Sequence, residues 1–206
     1  MSVRVPTPIR RSALESIHAR LGARWRSETE RWPVSYGDDA ADARALREGV
    51  ALAEPGPYDK IMVRGPSTLA DLRWLGLATQ AGRLEPARTT DGINAWVPAD
   101  DEAILVRLAG AGAPPGRAAT VATETLAEIT EKLRSAGPSV TDVSSGYTVF
   151  RLVGPRMPGL LQELSPVDLS ARAVPDLGIV AAPVVGCRML LARRDHDGLP
   201  GVVLLV

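Results

Sequence analysis

Apolar and polar positions fall into two matching blocks along this chain. Residues 58–77 (YDKIMVRGPSTLADLRWLGL) and 147–166 (YTVFRLVGPRMPGLLQELSP) each open on a Tyr, run through an apolar-rich strand and turn at a Gly-Pro pair. A Leu-rich helix follows in both. The turns are Gly65-Pro66 and Gly154-Pro155. A proline at a helix start gives up no hydrogen bond, so the pair specifies a strand end and a helix beginning together. Two copies do not build a solenoid, which needs several stacked units. The pattern predicts a pseudo-symmetric α+β domain with mixed or antiparallel sheets and two related halves, residues 45–108 and 140–206.

The remaining elements follow from spacing and turn chemistry. Ala13, Ile17, Leu21 and Trp25 recur at helical intervals, which predicts a helix capped by Thr7 or Ser12 with a buried stripe. Residues 30–42, with Pro33, Gly37 and Asp38-Asp39, read as a surface loop, and 42–49 as a short helix closed by Gly49. Strands at 50–53 and 60–64 flank the turn Glu54-Pro55-Gly56-Pro57, and a helix runs over 67–77. Residues 93–97 and 103–108 form a hairpin around Pro98-Ala99-Asp100-Asp101. Residues 109–116 (AGAGAPPG) are a joint between the halves. Residues 124–135 form an amphipathic helix with Leu126, Ile129 and Leu133 inward, closed by Gly137-Pro138. Strands at 179–185, 188–192 and 201–206 complete the chain. Because the last is apolar and uncovered by a helix, it is expected at a domain edge that another segment or subunit covers.

Composition narrows the function classes. With 206 residues and 21.8 kDa, the chain is long enough for a substantial core. Lys+Arg 24 balance Asp+Glu 24, so no net field favours nucleic acid or an anionic membrane as partner. No apolar run suits a membrane span or a secretory leader. The single cysteine, Cys187, rules out an internal disulfide and fits a reducing, cytoplasmic setting, and its apolar surroundings predict an inert buried thiol. Two histidines, His18 and His196, leave no His/Cys cluster for a metal. The Gly-rich stretches lack the strand-to-helix context of a phosphate loop.

Residues 140–179 (VTDVSSGYTVFRLVGPRMPGLLQELSPVDLSARAVPDLGI) resemble the folate-binding domain fused to dimethylglycine and sarcosine dehydrogenases, which is related to the glycine cleavage T-protein. Residues 45–72 (ALREGVALAEPGPYDKIMVRGPSTLADL) resemble the first half of the same family. The resemblance implies a channelled α+β fold in which tetrahydrofolate enters the centre and accepts a one-carbon unit from a small amine or methylated substrate. Such a site needs an apolar slot for the pterin, polar groups at its edge and a carboxylate near the reacting nitrogen.

Gap-free counting places Asp91 in the carboxylate position, with Gly92 where a second acid is expected; one gap puts Asn94 there instead. Tyr58 takes a slot-lining position. In the stretch 195–201 (DHDGLPG), Leu199 stands where the family carries a pterin-holding Glu, and Val203 replaces the acid of the final strand. A pterin donor left unpaired there costs about 1–3 kcal/mol. No counterpart of the family's terminal barrel is expected within these 206 residues.

Outside that pattern, the run Arg193, Arg194, Asp195, His196, Asp197 sets an imidazole beside two carboxylates, an acid/base arrangement in one reading and a solvated turn in the other. Trp96 is a candidate for cofactor stacking or core, and Trp74 for core or interface. Arg193, Asp197 and Asn94 complete the candidate cofactor contacts. Three functions stay open. They are tetrahydrofolate-dependent transfer with Asp91 as carboxylate and Tyr58 in the slot, a non-catalytic subunit resembling the sarcosine oxidase gamma subunit, and a repurposed cavity that binds another small molecule and in which His196 or the nearby Asp residues move protons. A small-molecule substrate, and a protein partner or a second copy of the chain, are the expected partners.

Overall fold

The computed structural model describes residues 10–28, 30–56, 58–86, 92–107 and 125–206. An N-terminal segment comprises β1 (Arg10–Arg11), α1 (Glu15–Arg20), β2 (Arg24–Trp25), β3 (Glu30–Arg31) and β4 (Pro33–Ser35). It is laced by β1–β3 and β2–β4 pairs. After it the chain runs through α2 (Asp39–Glu48), β5 (Ala51–Ala53), β6 (Asp59–Arg64), α3 (Thr68–Trp74), β7 (Arg83–Pro86), β8 (Ile93–Ala99) and β9 (Glu102–Arg107). The same order then recurs as α4 (Leu126–Ala136), β10 (Ser139–Asp142), β11 (Val149–Val153), α5 (Met157–Leu164), β12 (Ile179–Val184), β13 (Cys187–Arg193) and β14 (Gly201–Leu205).

The two five-stranded sheets are antiparallel and built by exchange. One has the order β10-β6-β9-β8-β7, the other β12-β13-β14-β11-β5. Each run of elements therefore lends its first strand to the other's sheet: β10 pairs with β6, and β5 with β11. The Gly-Pro turns lie at these crossings. Gly154, at φ +143, sits so close to Gly49 that a Cβ would stand 2.3 Å from the Gly49 carbonyl oxygen. Gly65 approaches Pro138 in the corresponding way, at 3.3 Å from its Cα. Only a residue without a side chain permits such contact.

Strand alternation sorts the side chains into layers. Ile61 and Val63 on β6, and Ala103 and Leu105 on β9, face α3 and α4 together with Leu72, Ile129 and Leu133. Leu152, Leu191, Val202 and Leu204 pack with Met157 and Leu161 of α5. The opposite faces of both sheets meet through Tyr58, Met62, Leu84, Trp96, Ile104, Val106, Val149, Ala192 and Leu205. The architecture is helix, sheet, sheet, helix. Burying Leu126, Ile129 and Leu133 anchors α4 at about 1.5–3 kcal/mol per side chain, and Thr125 and Glu128 form a reciprocal cap at its start. Its counterpart α2 buries no residue and relies on its cap, in which Asp38 Oδ1 accepts from the Ala41 N–H at 2.9 Å.

The 93–107 hairpin, the inward face of α4 and the three final strands match their sequence patterns. Other expectations need correction. The N-terminal stripe is not core: α1 spans six residues, Leu21 is 62% exposed and Ile17 39%, and His18 turns inward instead. A buried polar partner for His18 outweighs the apolar face, and Gly22 at φ +77 ends the turn. The loop expected over 30–42 holds β3, β4 and the start of α2. Strand β7 had no sequence signal because Leu84 is its sole apolar side chain besides a proline. Cys187 is exposed, since it follows the tight Val185-Gly186 turn at a hairpin tip. Strand β14 lies inside its sheet, covered on both sides by β13 and β11. The joint over 109–116 lies outside the described residues.

Replacing Gly154 by Ala is expected to destabilise the chain by about 2–4 kcal/mol, from backbone strain plus overpacking against Gly49. Urea unfolding of the variant against the parent measures this; an unchanged midpoint would contradict the close approach.

Candidate functional site

Between the sheets lies a cleft of about 70 Å³, lined from both halves. Tyr58, Leu84, Asn94, Trp96 and Val106 come from the first half, Val149, Arg151, Arg194 and Val203 from the second, and Pro55 stands at the rim. Alternation puts them there: Asn94 and Trp96 are the inward positions of β8, and Val149 and Arg151 those of β11. A second, more open depression of about 220 Å³ lies at the β6–β10 seam. Its one charged side chain, Arg64, is already engaged by Glu102 at 2.9 Å.

Tyr58 is held from behind by a cross-link between the halves. Buried Lys60 donates from Nζ to the Tyr58 carbonyl at 2.8 Å and to the Ser144 carbonyl at 2.9 Å, while its N–H donates to Ser144 Oγ. Burial raises the Tyr58 phenol above its ordinary value of 10.0, opposed by the nearby charges of Arg151, Arg26 and Arg194. Burial lowers the Arg151 guanidinium, and the charge of Arg194 lowers it further. Asn94 donates to the Gly92 carbonyl at 3.2 Å and accepts from Arg194 Nη1 at 3.4 Å.

The candidate residues do not all converge. Tyr58, Asn94 and Trp96 share the cleft. Asp91 lies outside the described residues. Arg193 is buried but braces the following turn, donating from Nε to Asp195 Oδ1 at 3.2 Å, an oxygen that also accepts from the Gly201 N–H. His196 and Asp197 sit on an exposed two-residue turn closed by paired His196–Leu199 backbone bonds. His196 does not line the cleft; its Nε2 lies 3.6 Å from Asp197 Oδ2 on the exposed turn. Asp197, at φ +49, reaches the site only through its charge on Arg151. Trp74 is 75% exposed and is not core.

Sequence reasoning missed two groups. One is the pair Arg151 and Arg194. Arg151 is the single charge inside an otherwise apolar strand, at an inward position, and that was the available signal. The other is a buried polar staple. Glu54 Oε2 accepts from Ser12 Oγ at 2.7 Å and from His18 Nε2 at 2.7 Å, and His18 Nδ1 lies 2.6 Å from the Tyr36 hydroxyl. Because a carboxylate only accepts, His18 donates from Nε2, which leaves Nδ1 to accept from Tyr36 in the neutral ring. Tyr36 is itself raised by burial and by the charge of Glu54. The staple ties the N-terminal segment to the loop carrying Pro55. Its members are scattered over the first 54 residues, and no local pattern joins them.

Among the described residues, the cleft lacks the room and the acceptors that tetrahydrofolate would use. Ligand pockets usually enclose about 300–1,000 Å³, several times this cleft. A pterin edge presents N–H donors that need acceptors, yet among the described residues no carboxylate lines the cleft. Val203 is the ladder partner of Arg151, so the acid the resemblance would place there is replaced by an apolar wall. Among the described residues no cluster of His, Cys, Asp and Glu is arranged for a metal, and no helix is long and apolar enough to cross a membrane.

No family model matches the chain. It is 28% identical over 204 residues, 97% of its length, to the aminomethyltransferase of Streptomyces coelicolor, and 29% identical over 198 residues to that of Saccharopolyspora erythraea. The alignments cover 54% and 53% of those proteins, so the chain spans about half the length of the curated relatives it matches. Among solved structures, glycine cleavage system aminomethyltransferase T from Bartonella henselae superposes with a TM-score of 0.70 at 15% identity, over 96% of this chain and 54% of that one. A chain of the heterotetrameric sarcosine oxidase from Corynebacterium sp. U-96 superposes with a TM-score of 0.57 at 21% identity, over 83% of this chain and 84% of that one. The fold is therefore that of the aminomethyltransferase T-protein, in its mixed α/β, antiparallel form.

The raised Tyr58 phenol has a stability consequence. The folded state keeps a proton that the unfolded chain sheds above about pH 10, so this contribution is full below that pH and is lost as pH rises through the higher folded value. Thermal melts of the parent and Tyr58→Phe are expected to differ by a constant amount below about pH 10 and to converge toward the variant's favour above it. A pH-independent difference would contradict the buried phenol.

Proposed function

We propose that the chain is a non-catalytic subunit of a heteromeric enzyme acting on a small amine or N-methylated substrate, with the one-carbon transferase fold kept as an assembly and binding module. The observation that carries the reading is the cleft: the fold is intact, while the place that would hold a folate is narrow, walled by Trp96, Leu84 and Val203, and lined by guanidinium groups in place of acids. The near end-to-end superposition on one chain of a heterotetrameric oxidase supports it, because that chain is of similar extent and works within an assembly. Leu52, 64% exposed on the outer strand β5, and exposed Trp74 are apolar groups suited to a protein contact.

The sequence match to aminomethyltransferases over most of the chain favours a second reading, tetrahydrofolate-dependent aminomethyl transfer. In that reading Asp91, just ahead of β8, supplies the carboxylate near the folate nitrogen, Tyr58 and Trp96 flank the pterin, and Asn94 meets its edge. Cytoplasmic residence belongs to both readings.

Titration with tetrahydrofolate, followed through tryptophan fluorescence, separates the two because Trp96 faces the cleft. The subunit reading expects no saturable quench. A saturable quench lost in Asp91→Asn would overturn it and establish the transferase.

A further inference from the structure

The inner layer holds two guanidinium groups for which the subunit reading has no task. Arg151 lies in the middle of β11, half-buried, opposite Val203 in the ladder. Its Nε is shielded from solvent and has no hydrogen-bond partner, and the residue makes no ion pair among the described residues. Arg194, one residue beyond β13, lines the same cleft and, among the described residues, engages only Asn94 Oδ1 from its side chain, at a long 3.4 Å. Asp197, whose charge acts on Arg151, stands on the exposed turn outside the cleft.

Arginine stays charged in practically any protein setting. Two such charges therefore share a cleft whose other walls are mostly apolar, and unpaired charge there is costly unless an anion joins it. The planar guanidinium fork matches the two oxygens of a carboxylate. Size limits the rest of the ligand: about 70 Å³, at about 10–15 Å³ per water, is room for only about five waters. Apolar walls from Trp96, Val106 and Val149 favour a short hydrocarbon body over a fully hydrated inorganic ion.

We propose that the cleft is a binding site for a small monocarboxylate, its carboxylate held by Arg151 and Arg194 and its hydrocarbon body laid against Trp96, Val106 and Val149. The inference goes beyond the assembly reading and does not depend on it, since the site is complete within one chain.

The test is titration of the purified full chain with propionate, read by tryptophan fluorescence and by melting temperature, with chloride and sulfate at matched ionic strength as references. Propionate is expected to give a saturable response that the reference anions do not. Arg151→Gln and Arg194→Gln should each weaken it by about tenfold or more, the loss of one charge-assisted contact. Arg194 lies outside the ladder, so its variant keeps the fold. Arg151→Met should abolish the response and raise the melting temperature of the free protein, because it removes an unpaired charge while filling the same space; a merely structural arginine would lower it. No saturable response to propionate, an equal response in the double Gln variant, or an equal response to sulfate would overturn the proposal. None of these outcomes bears on whether tetrahydrofolate binds.

Discussion

Reciprocal exchange of β5 and β10 is the constraint on which the rest of this structure depends. Each strand leaves the run of elements that precedes it and closes the opposite sheet. Neither half can complete its hydrogen-bonded ladder alone. The crossings are tight, with Gly154 against Gly49 and Gly65 against Pro138, and Lys60 adds a buried cross-link from β6 to Ser144 beyond β10. The inner faces of the two sheets are thereby fixed against each other. A cleft lined from both sides exists because the exchange leaves no other arrangement for Tyr58, Trp96, Arg151 and Val203.

Chemistry then follows from which side chains point into that fixed layer. In an antiparallel ladder, the residue opposite a charge decides whether it is neutralised. Arg151 faces Val203, and the turn after Arg194 directs His196 and Asp197 to solvent. Positive charge collects inside, and the proton-moving groups stay outside. Among the described residues, a fold similar to that of aminomethyltransferases thus presents a cleft with guanidinium donors and no carboxylate. The same backbone is compatible with a role in assembly and with recognition of a small anion, since function resides in the site and not in the fold.

Much of the fold was legible where a single local rule governs. The Gly-Pro turns, the inward triad Leu126, Ile129 and Leu133, and the Asp100-Asp101 hairpin each state their geometry within a few residues. Failures came where tertiary contacts override local pattern. His18 turns the N-terminal helix against its own apolar stripe because Glu54, thirty-six residues away, offers a buried partner. Strand β7 exists because β8 needs a neighbour, not because Arg83–Pro86 has strand character. At the site, Tyr58 and Asn94 were named through the family resemblance and Trp96 as a core or stacking candidate, whereas Arg194 is brought in by a turn whose direction no spacing encodes. For the run from Arg193 to Asp197 both readings stayed open, because adjacent charges in sequence read alike whether they face a cavity or water.

The claim that the two halves form one body is tested most directly by following unfolding with two probes. All four tryptophans, Trp25, Trp32, Trp74 and Trp96, precede β9, so their fluorescence reports on the first half, the N-terminal segment and, through Trp96, the layer between the sheets. Far-ultraviolet circular dichroism reports on both halves. In urea, strand exchange predicts superimposable transitions from the two probes, with one midpoint and one slope. A fluorescence transition displaced from the circular dichroism transition would mean that the halves unfold separately, and would contradict the account.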